Sequence, residues 1–193
     1  MSLIISKSLD QVDPLIDFFF KEKSVGVGFL RFKPVGRGKR FPEFVLSKKQ
    51  RKELIRKVYK RRVEIGEDFY LKVETPVSIL IAIEFHKKKK KNKYATKLER
   101  GCPGGITMCH IKSNGKITSC SQMPVIAGDL RKQSITDIWK NSKLFQKLRS
   151  REYKGYCGNC KHKYYCGGCR SSAYIEYGNV LAQDPGCWYP DEE

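Results

Sequence analysis

Cysteine is missing from the first 101 residues of this chain, although the 193-residue sequence contains eight cysteines in all. Acidic residues are also scarce, with 20 Asp and Glu against 39 Lys and Arg, which gives a formal net charge of +19. The longest purely apolar run, residues 79–83, is far too short to cross a bilayer. The N-terminus lacks the basic segment and long apolar stretch of a signal peptide. We therefore expect a cytoplasmic protein that is neither membrane-embedded nor secreted.

Nucleotide-binding signatures are absent from the first hundred residues, which contain neither a G-x-G-x-x-G fingerprint nor a Walker A motif. This half carries 26 − 12 = +14 of the net charge, and the remainder carries 13 − 8 = +5. A basic excess is compatible with nucleic-acid binding. However, no stripe of basic and aromatic residues and no RNA- or DNA-binding motif accompanies it. We interpret the charge as a lysine-rich solvated surface and expect no nucleic-acid partner.

The first 85 residues alternate between short apolar runs and segments of helical periodicity. Helices are predicted from Asp13-Pro14 and from the capping box Ser47-Lys48-Lys49-Gln50. The predicted strands are residues 3–6, 25–32 and 69–73, whereas the apolar segment 77–85 fits neither pattern. Strands that alternate with helices indicate βα units around a parallel sheet. A closed (β/α)₈ barrel needs about 250 residues, so this segment can form only part of such a sheet.

The cysteines are spaced as metal ligands are. Two pairs form C-x-x-C knuckles, in which the two intervening residues let both thiolates face one metal centre. Asn114-Gly115 predicts a β-hairpin that brings Cys109 and Cys120 close together across its arms. Eight thiolates complete two four-cysteine sites. The full pattern is Cys102-x6-Cys109-x10-Cys120-x36-Cys157-x2-Cys160-x5-Cys166-x2-Cys169-x17-Cys187.

Three kinds of site could use these cysteines. Disulfides are disfavoured, because the chain has no export signal and its knuckles are typical of metal sites. Four-cysteine zinc sites and [4Fe–4S] clusters both use C-x-x-C knuckles, so the spacing alone predicts a metal without deciding between zinc and iron. With zinc, the alternative function is a four-cysteine binding module whose basic surface contacts nucleic acid.

The residues around the cysteines resemble the SPASM domain, the C-terminal extension of many radical S-adenosylmethionine (SAM) enzymes. The resemblance covers about residues 101–190 and is strongest with the maturases of haem d1 and of the alternative haem pathway. The sequence is similar to peptide-modifying and tungsten-cofactor maturases almost as closely. Residues 1–85 are more loosely similar to the last strands and helices of the family's partial barrel. Beyond the cysteines, the matching stretches are Gly128-Asp129-Leu130-Arg131, the capped helix that opens at Ser134 with Ile135, Ile138 and Trp139 turned inward, Cys169-Arg170-Ser171-Ser172-Ala173-Tyr174 and Asp184-Pro185-Gly186-Cys187.

The resemblance implies an α/β fold, a partial βα barrel fragment, followed by a small α+β cysteine-rich iron–sulfur domain. Residues 1–85 would be the C-terminal part of the barrel and residues 101–193 the SPASM-like domain. The lysine-rich segment 86–100 would link them.

The resemblance also implies two auxiliary [4Fe–4S] clusters with interleaved ligands. The cluster nearer the barrel, here called the inner cluster, would be held by Cys102, Cys109, Cys120 and Cys169. The outer cluster would be held by Cys157, Cys160, Cys166 and Cys187. Such interleaving cross-links the hairpin to the knuckles, so losing one ligand should unfold more than one loop.

The family cleaves SAM at a cluster bound by a C-x3-C-x2-C motif, and this sequence contains no such motif. We therefore expect the C-terminal portion of a radical SAM oxidoreductase or maturase, with no catalytic residue of its own. A separate N-terminal half-barrel subunit would supply the missing cluster, or the gene is truncated. SAM would be a cofactor only with that partner. The positive charge favours an anionic small-molecule or peptide substrate.

Overall fold

The computed structural model describes residues 2–66, 68–88 and 101–191 of the chain. They belong to two compact units, one made of residues 1–99 and 186–193 and the other of residues 100–185. Of the predicted linker 86–100, residues 86–88 are helical and the rest lies outside the described residues. None of the helices in the described ranges is long and apolar enough to cross a membrane.

Three parallel strands alternate with three helices in the first unit. The order is β1 (Ser2–Ile4), α1 (Val12–Lys21), β2 (Gly26–Arg31), α2 (Lys48–Ile65), β3 (Tyr70–Glu74) and α3 (Ser78–Lys88). The strands lie side by side as β1-β2-β3, with Ser2 paired to Phe29 and Gly26 to Tyr70. The predicted βα units around a parallel sheet are therefore confirmed, and the partial barrel stays a prediction.

Helix α2 begins at the predicted capping box. The Gln50 N–H donates to Ser47 Oγ at 3.2 Å, and the Ser47 N–H donates to Gln50 Oε1 at 3.0 Å. One face of the helix buries Leu54, Ile55 and Val58, at the spacing of an amphipathic helix that packs on a sheet.

Two details of this unit differ from the sequence predictions. Helix α1 begins at Val12, so Asp13 lies inside its first turn and pairs with Lys57 at 3.1 Å instead of capping the helix. The unassigned segment forms most of helix α3, in which residues 79–82 are all buried. A helical turn that is apolar on every side shows no amphipathic period, which is why the pattern gives no assignment.

The second unit combines a small antiparallel sheet with four short helices. The elements are β4 (His110–Ile111), β5 (Lys116–Thr118), β6 (Ile126–Asp129), α4 (Ile135–Asn141), α5 (Lys143–Ser150), α6 (Tyr156–Asn159) and α7 (Arg170–Tyr177). The sheet order is β4-β5-β6, and the Gly115 N–H donates to the Lys112 carbonyl at 2.9 Å in the turn between β4 and β5. The predicted Asn114-Gly115 hairpin is thus confirmed.

Ser134 caps helix α4, as predicted, with the Asp137 N–H donating to Ser134 Oγ at 3.1 Å. Ile138 is buried against Gly128, where a Cβ would lie 2.6 Å from the Ile138 side chain. Ile135 is 46% exposed, so its predicted inward orientation is wrong. The core of the unit consists of Ile117, Met123, Ile138, Leu144, Phe145, Leu148, Tyr153, Val180 and Leu181.

Candidate metal centre

The Cys102 thiol interacts electrostatically with the thiols of Cys169 and, more weakly, Cys120. Burial of the Cys102 sulfur raises the pKa of its thiol, and the neighbouring Cys169 adds to this rise, with a smaller addition from Cys120. Backbone N–H groups of Arg170 and Gly104 donate to the Cys102 sulfur and offset part of this rise in its pKa. A cluster of desolvated thiols gives up its protons when a metal cation supplies the compensating charge.

Cys109 and Cys120 flank the hairpin. His110 in β4 pairs with Thr118 in β5, and the two cysteines lie one residue before and two residues after this pair. Both cysteines pack against the core of the second unit. The hydroxyl of Thr118 donates to the Cys120 carbonyl at 2.8 Å and holds the end of the arm. Both predicted ligands at the ends of the hairpin therefore contact the same core.

A close backbone approach joins the segment of Cys102 to the second knuckle. The Cys102 N–H donates to the Cys166 carbonyl at 3.1 Å. The preceding residue, Gly101, lies so close to the carbonyl oxygens of Cys166 and Tyr165 that a Cβ there would overlap both. Only glycine permits this approach, which places Cys102 beside Cys166 although they are far apart in sequence.

The knuckles direct backbone N–H groups at sulfur. The His162 N–H donates to Cys160 Sγ at 3.4 Å, and the Gly168 N–H donates to Cys166 Sγ at 3.4 Å. In both cases the donor lies two residues after the cysteine. Gly167 and Gly168 both have positive φ, of 63° and 58°, which is the backbone geometry this turn requires. Hydrogen bonds of this kind stabilise a thiolate and tune a metal cluster bound to it.

Cys157 receives two donors from elsewhere in the unit. The Asp184 N–H lies 3.4 Å from Cys157 Sγ, and Arg170 Nη2 lies 3.7 Å from the same sulfur. The Asp184 carboxylate, almost fully buried, accepts a hydrogen bond of 2.7 Å from the Cys169 N–H. Cys169 Sγ also lies 3.3 Å from the hydroxyl of Ser171. The two knuckles and the closing stretch are therefore joined by hydrogen bonds.

Sequence reasoning assigned no role to Arg170, Asp184 or Tyr153, although it quoted the stretches that contain Arg170 and Asp184. Burial raises the pKa of the Tyr153 hydroxyl, while the guanidinium of Arg170 over its ring acts against that rise. The sequence did hold a signal for two of them: Arg170 directly follows Cys169, and Asp184 lies three residues before Cys187.

The eighth cysteine, Cys187, belongs to the first unit. Its neighbour Gly186 packs so tightly against the buried Arg51 guanidinium that a Cβ would overlap it, and Arg51 Nη2 donates to Thr75 Oγ1 at 2.8 Å. Lys48 on the same helix pairs with Asp191 at 3.0 Å. The segment around Cys187 is thus held by helix α2, and the predicted role of Cys187 in the outer cluster stays a prediction.

Within residues 2–66, 68–88 and 101–191, no three histidine, cysteine, aspartate or glutamate side chains are gathered in the geometry of a single metal ion. The interactions of Cys102 with Cys169 and Cys120 therefore do not amount to a formed coordination sphere. The donors nevertheless fit a thiolate-bound group, because N–H groups point at the sulfurs of Cys102, Cys157, Cys160 and Cys166.

Comparison with known families agrees with this donor set. Residues 102–161 match the SPASM family, described as an iron-sulfur cluster-binding domain. This part of the chain is therefore similar to SPASM domains. The match includes five of the eight predicted ligands, namely Cys102, Cys109, Cys120, Cys157 and Cys160.

Three curated relatives are AdoMet-dependent heme synthases. The protein of Methanosarcina barkeri is 39% identical over 93 residues, which cover 48% of this chain and 27% of the relative. Those of Oleidesulfovibrio alaskensis and Nitratidesulfovibrio vulgaris are 36% and 37% identical over 93 residues, covering 24% and 25% of their lengths. The chain thus spans about a quarter of these relatives, and its resemblance to the C-terminal, SPASM-bearing portion of radical SAM enzymes of the haem-pathway branch is confirmed.

Solved structures agree in fold. SuiB of Streptococcus suis has a TM-score of 0.63 and 18% identity, covering 96% of this chain and 44% of SuiB. SuiB bound to S-adenosylmethionine has a TM-score of 0.64, and SuiB bound to its precursor peptide SuiA has one of 0.63. At this identity the likeness shows the fold alone.

The close approach at Gly101 generates a prediction. We expect Gly101→Ala to force the Cys102 and Cys166 backbones apart and to lower the iron content of the SPASM domain by roughly half, because Cys102 can no longer reach its site. Iron and acid-labile sulfide measured on anaerobically purified protein check this.

The matched control is Gly178→Ala, at a glycine with φ of 64° and nothing within 4 Å of an added Cβ. This change should cost about 1 kcal/mol of stability and leave the iron content unchanged. Equal iron content in Gly101→Ala and the wild type would mean that the contact does not position Cys102.

Proposed function

We propose that this chain is the cluster-bearing C-terminal portion of a radical SAM oxidoreductase or maturase, and that its SPASM domain holds two auxiliary [4Fe–4S] clusters. The observation that carries the proposal is the close approach of the Cys102 segment to the second knuckle, where the Cys102 N–H donates to the Cys166 carbonyl at 3.1 Å and the Cys102 thiol interacts with that of Cys169. The family description favours iron over the zinc module. The proposed ligands are Cys102, Cys109, Cys120 and Cys169 for the inner cluster, and Cys157, Cys160, Cys166 and Cys187 for the outer one.

The second knuckle supports the interleaved assignment. Its two cysteines have different surroundings: Cys169 interacts with Cys102, whereas Cys166 Sγ accepts the Gly168 N–H within the knuckle. A Cβ on Gly168 would lie 3.4 Å from Cys157 Sγ, so the first residue of the other knuckle is close by. A cysteine pair divided in this way serves two clusters and cross-links them.

The residues of this chain would control what bound clusters can do. Clusters of this type supply one-electron transfer and, where a coordination position is open, a site for substrate. The chain contributes the thiolates, N–H donors to the sulfurs, and a buried setting for Cys166 and Cys169. These are the factors through which a protein sets a cluster's potential.

We further propose that residues 1–85 are the last βα units of the family's partial barrel, with residues 101–193 as the SPASM domain and residues 86–100 as their linker. The consecutive parallel order β1-β2-β3 supports this, as does the TM-score of 0.63 over 96% of the chain. SAM cleavage would depend on a segment with the C-x3-C-x2-C motif, which the given sequence does not contain. A separate half-barrel subunit is one source of it.

An anionic substrate suits the charge of the chain. Two clusters with four thiolates each would lower the net charge from +19 only to about +15. Exposed Arg37, Lys39 and Arg40 lie in the short helical turn Gly36–Arg40, which follows β2 at the carboxyl edge of the parallel sheet. Ligands of α/β proteins bind at that edge. Because the curated relatives are heme synthases, we propose a carboxylated porphyrin, with an acidic peptide as the alternative.

Cysteine variants test the two-cluster assignment. We expect Cys120→Ala and Cys160→Ala each to lose about half of the iron and one of two electron paramagnetic resonance signals. Combining Cys120→Ala with Cys169→Ala should cost no more iron than either alone, because both ligate the inner cluster. Combining Cys120→Ala with Cys166→Ala should remove nearly all the iron.

Ser121→Ala, an exposed change beside Cys120, is the control and should leave both signals intact. If the Cys120/Cys169 pair removed all the iron and the Cys120/Cys166 pair only half, the interleaved assignment would be wrong.

A carboxylated porphyrin tests the substrate class. We expect its Kd to rise about tenfold between about 50 and about 500 mM NaCl, because salt screens exposed charges. Arg37→Gln with Lys39→Gln should weaken binding by about fivefold at low salt. Fluorescence quenching of the porphyrin measures both effects.

Lys21→Gln with Lys23→Gln removes the same charge from the opposite edge of the sheet, just before β2. This control should change the Kd by less than about twofold. Equal weakening by both pairs would indicate a general charge effect, and salt-independent binding would contradict the anionic-substrate proposal.

A further inference from the structure

Arg170 is a buried cation inside the SPASM domain. Only 2% of its surface is exposed, and its Nε has no hydrogen-bond partner among the described residues. Burying a guanidinium away from water is costly unless hydrogen bonds and negative charge compensate it. The position of this side chain therefore calls for a source of negative charge.

Fixed contacts hold the guanidinium in place. Nη1 donates to the carbonyl oxygens of Val180 at 3.1 Å and Ala182 at 2.6 Å. The central carbon lies 4.3 Å from the centroid of the Tyr153 ring, a cation–π contact. These contacts determine the direction of Nη2, which lies 3.7 Å from Cys157 Sγ.

The same residue reaches a ligand of each proposed cluster. Its side chain contacts the sulfur of Cys157, a proposed outer ligand, while its backbone N–H donates to the sulfur of Cys102, a proposed inner ligand. Its sequence neighbour Cys169 is another inner ligand. A substitution at position 170 therefore removes the outer contact and leaves the backbone donor to Cys102 in place.

We propose that Arg170 is a positioning residue that raises the reduction potential of the outer cluster through its guanidinium at Cys157. This inference rests on the proposed function. Reduction adds one electron and makes the cluster more negative by one charge. A fixed cation and an N–H donor at a ligating sulfur stabilise that added charge. Without the guanidinium, the outer cluster becomes harder to reduce.

The test is a redox titration of the full anaerobically reconstituted chain, monitored by electron paramagnetic resonance. Cys120→Ala and Cys160→Ala, which each keep one proposed cluster, assign the two signals. Arg170→Gln should shift the outer potential to more negative values and move the inner potential less. Arg170→Lys keeps a charge without the planar fork and should give a smaller shift of the same sign.

Arg149→Gln is the matched control. Arg149 also stacks on aromatic rings, 4.6 Å from the Trp139 centroid, and its Nε donates to the Gly105 carbonyl at 2.9 Å. Its described contacts therefore resemble those of Arg170 without the cysteine sulfur. This variant should leave both potentials at the wild-type values, even if it lowers the thermal stability of the domain.

The outcomes separate this inference from the proposed function. If the wild-type chain contains no acid-labile sulfide, both the proposed function and the role of Arg170 are overturned. A wild-type chain with two clusters, and an Arg170→Gln variant with full iron and unchanged potentials, overturns only the role of Arg170. If Arg170→Gln does not retain the outer cluster, the outer-cluster potential of Arg170→Lys decides. A value more negative than that of the wild type supports the role of Arg170, and an unchanged value overturns it. Loss of the cluster from both variants assigns the side chain a purely structural role and also overturns the proposal.

Discussion

The close contact between the Cys102 segment and the second C-x-x-C knuckle is the constraint on which the cysteine-rich unit depends. Gly101 permits the approach, and the Cys102 N–H fixes it on the Cys166 carbonyl. From this contact follow the proximity of Cys102 to Cys169 and the donation of the Arg170 N–H to the Cys102 sulfur. Segments separated by about sixty residues are thereby brought into contact. A small domain with a modest apolar core gains much of its order from such cross-links once a metal is bound.

Electrostatics explains why partly buried thiols and N–H groups occur together here. Gathered thiolates repel one another, and burial strengthens that repulsion. Backbone donors from Gly104, His162 and Gly168, together with the Arg170 guanidinium, reduce the cost. Bound metal cations would offset the rest of this electrostatic cost. The same donors then influence how easily a bound cluster accepts an electron, so that folding and redox properties depend on the same contacts.

Sequence alone predicted those features that are encoded locally. The capping box at Ser47 and the hairpin at Asn114-Gly115 are short-range signals, and both are present in the structure. Helix α3 was not assigned, because four successive apolar residues, 79–82, are all buried and give its first turn no amphipathic period. Asp184 and Arg170 were not recognised, because their partners lie 15 and 13 residues away, at Cys169 and Cys157. No turn or periodicity signal marks contacts of that range. The complete ligand sets came from family resemblance and remain proposals.

The central claim is that the eight cysteines hold two iron–sulfur clusters. Its most direct test is a count of metal and acid-labile sulfide on the chain purified without oxygen. We expect about eight irons and eight sulfides per chain, with broad visible absorption that dithionite bleaches. About two zinc ions and no sulfide would contradict the claim and make the zinc-binding module the better description.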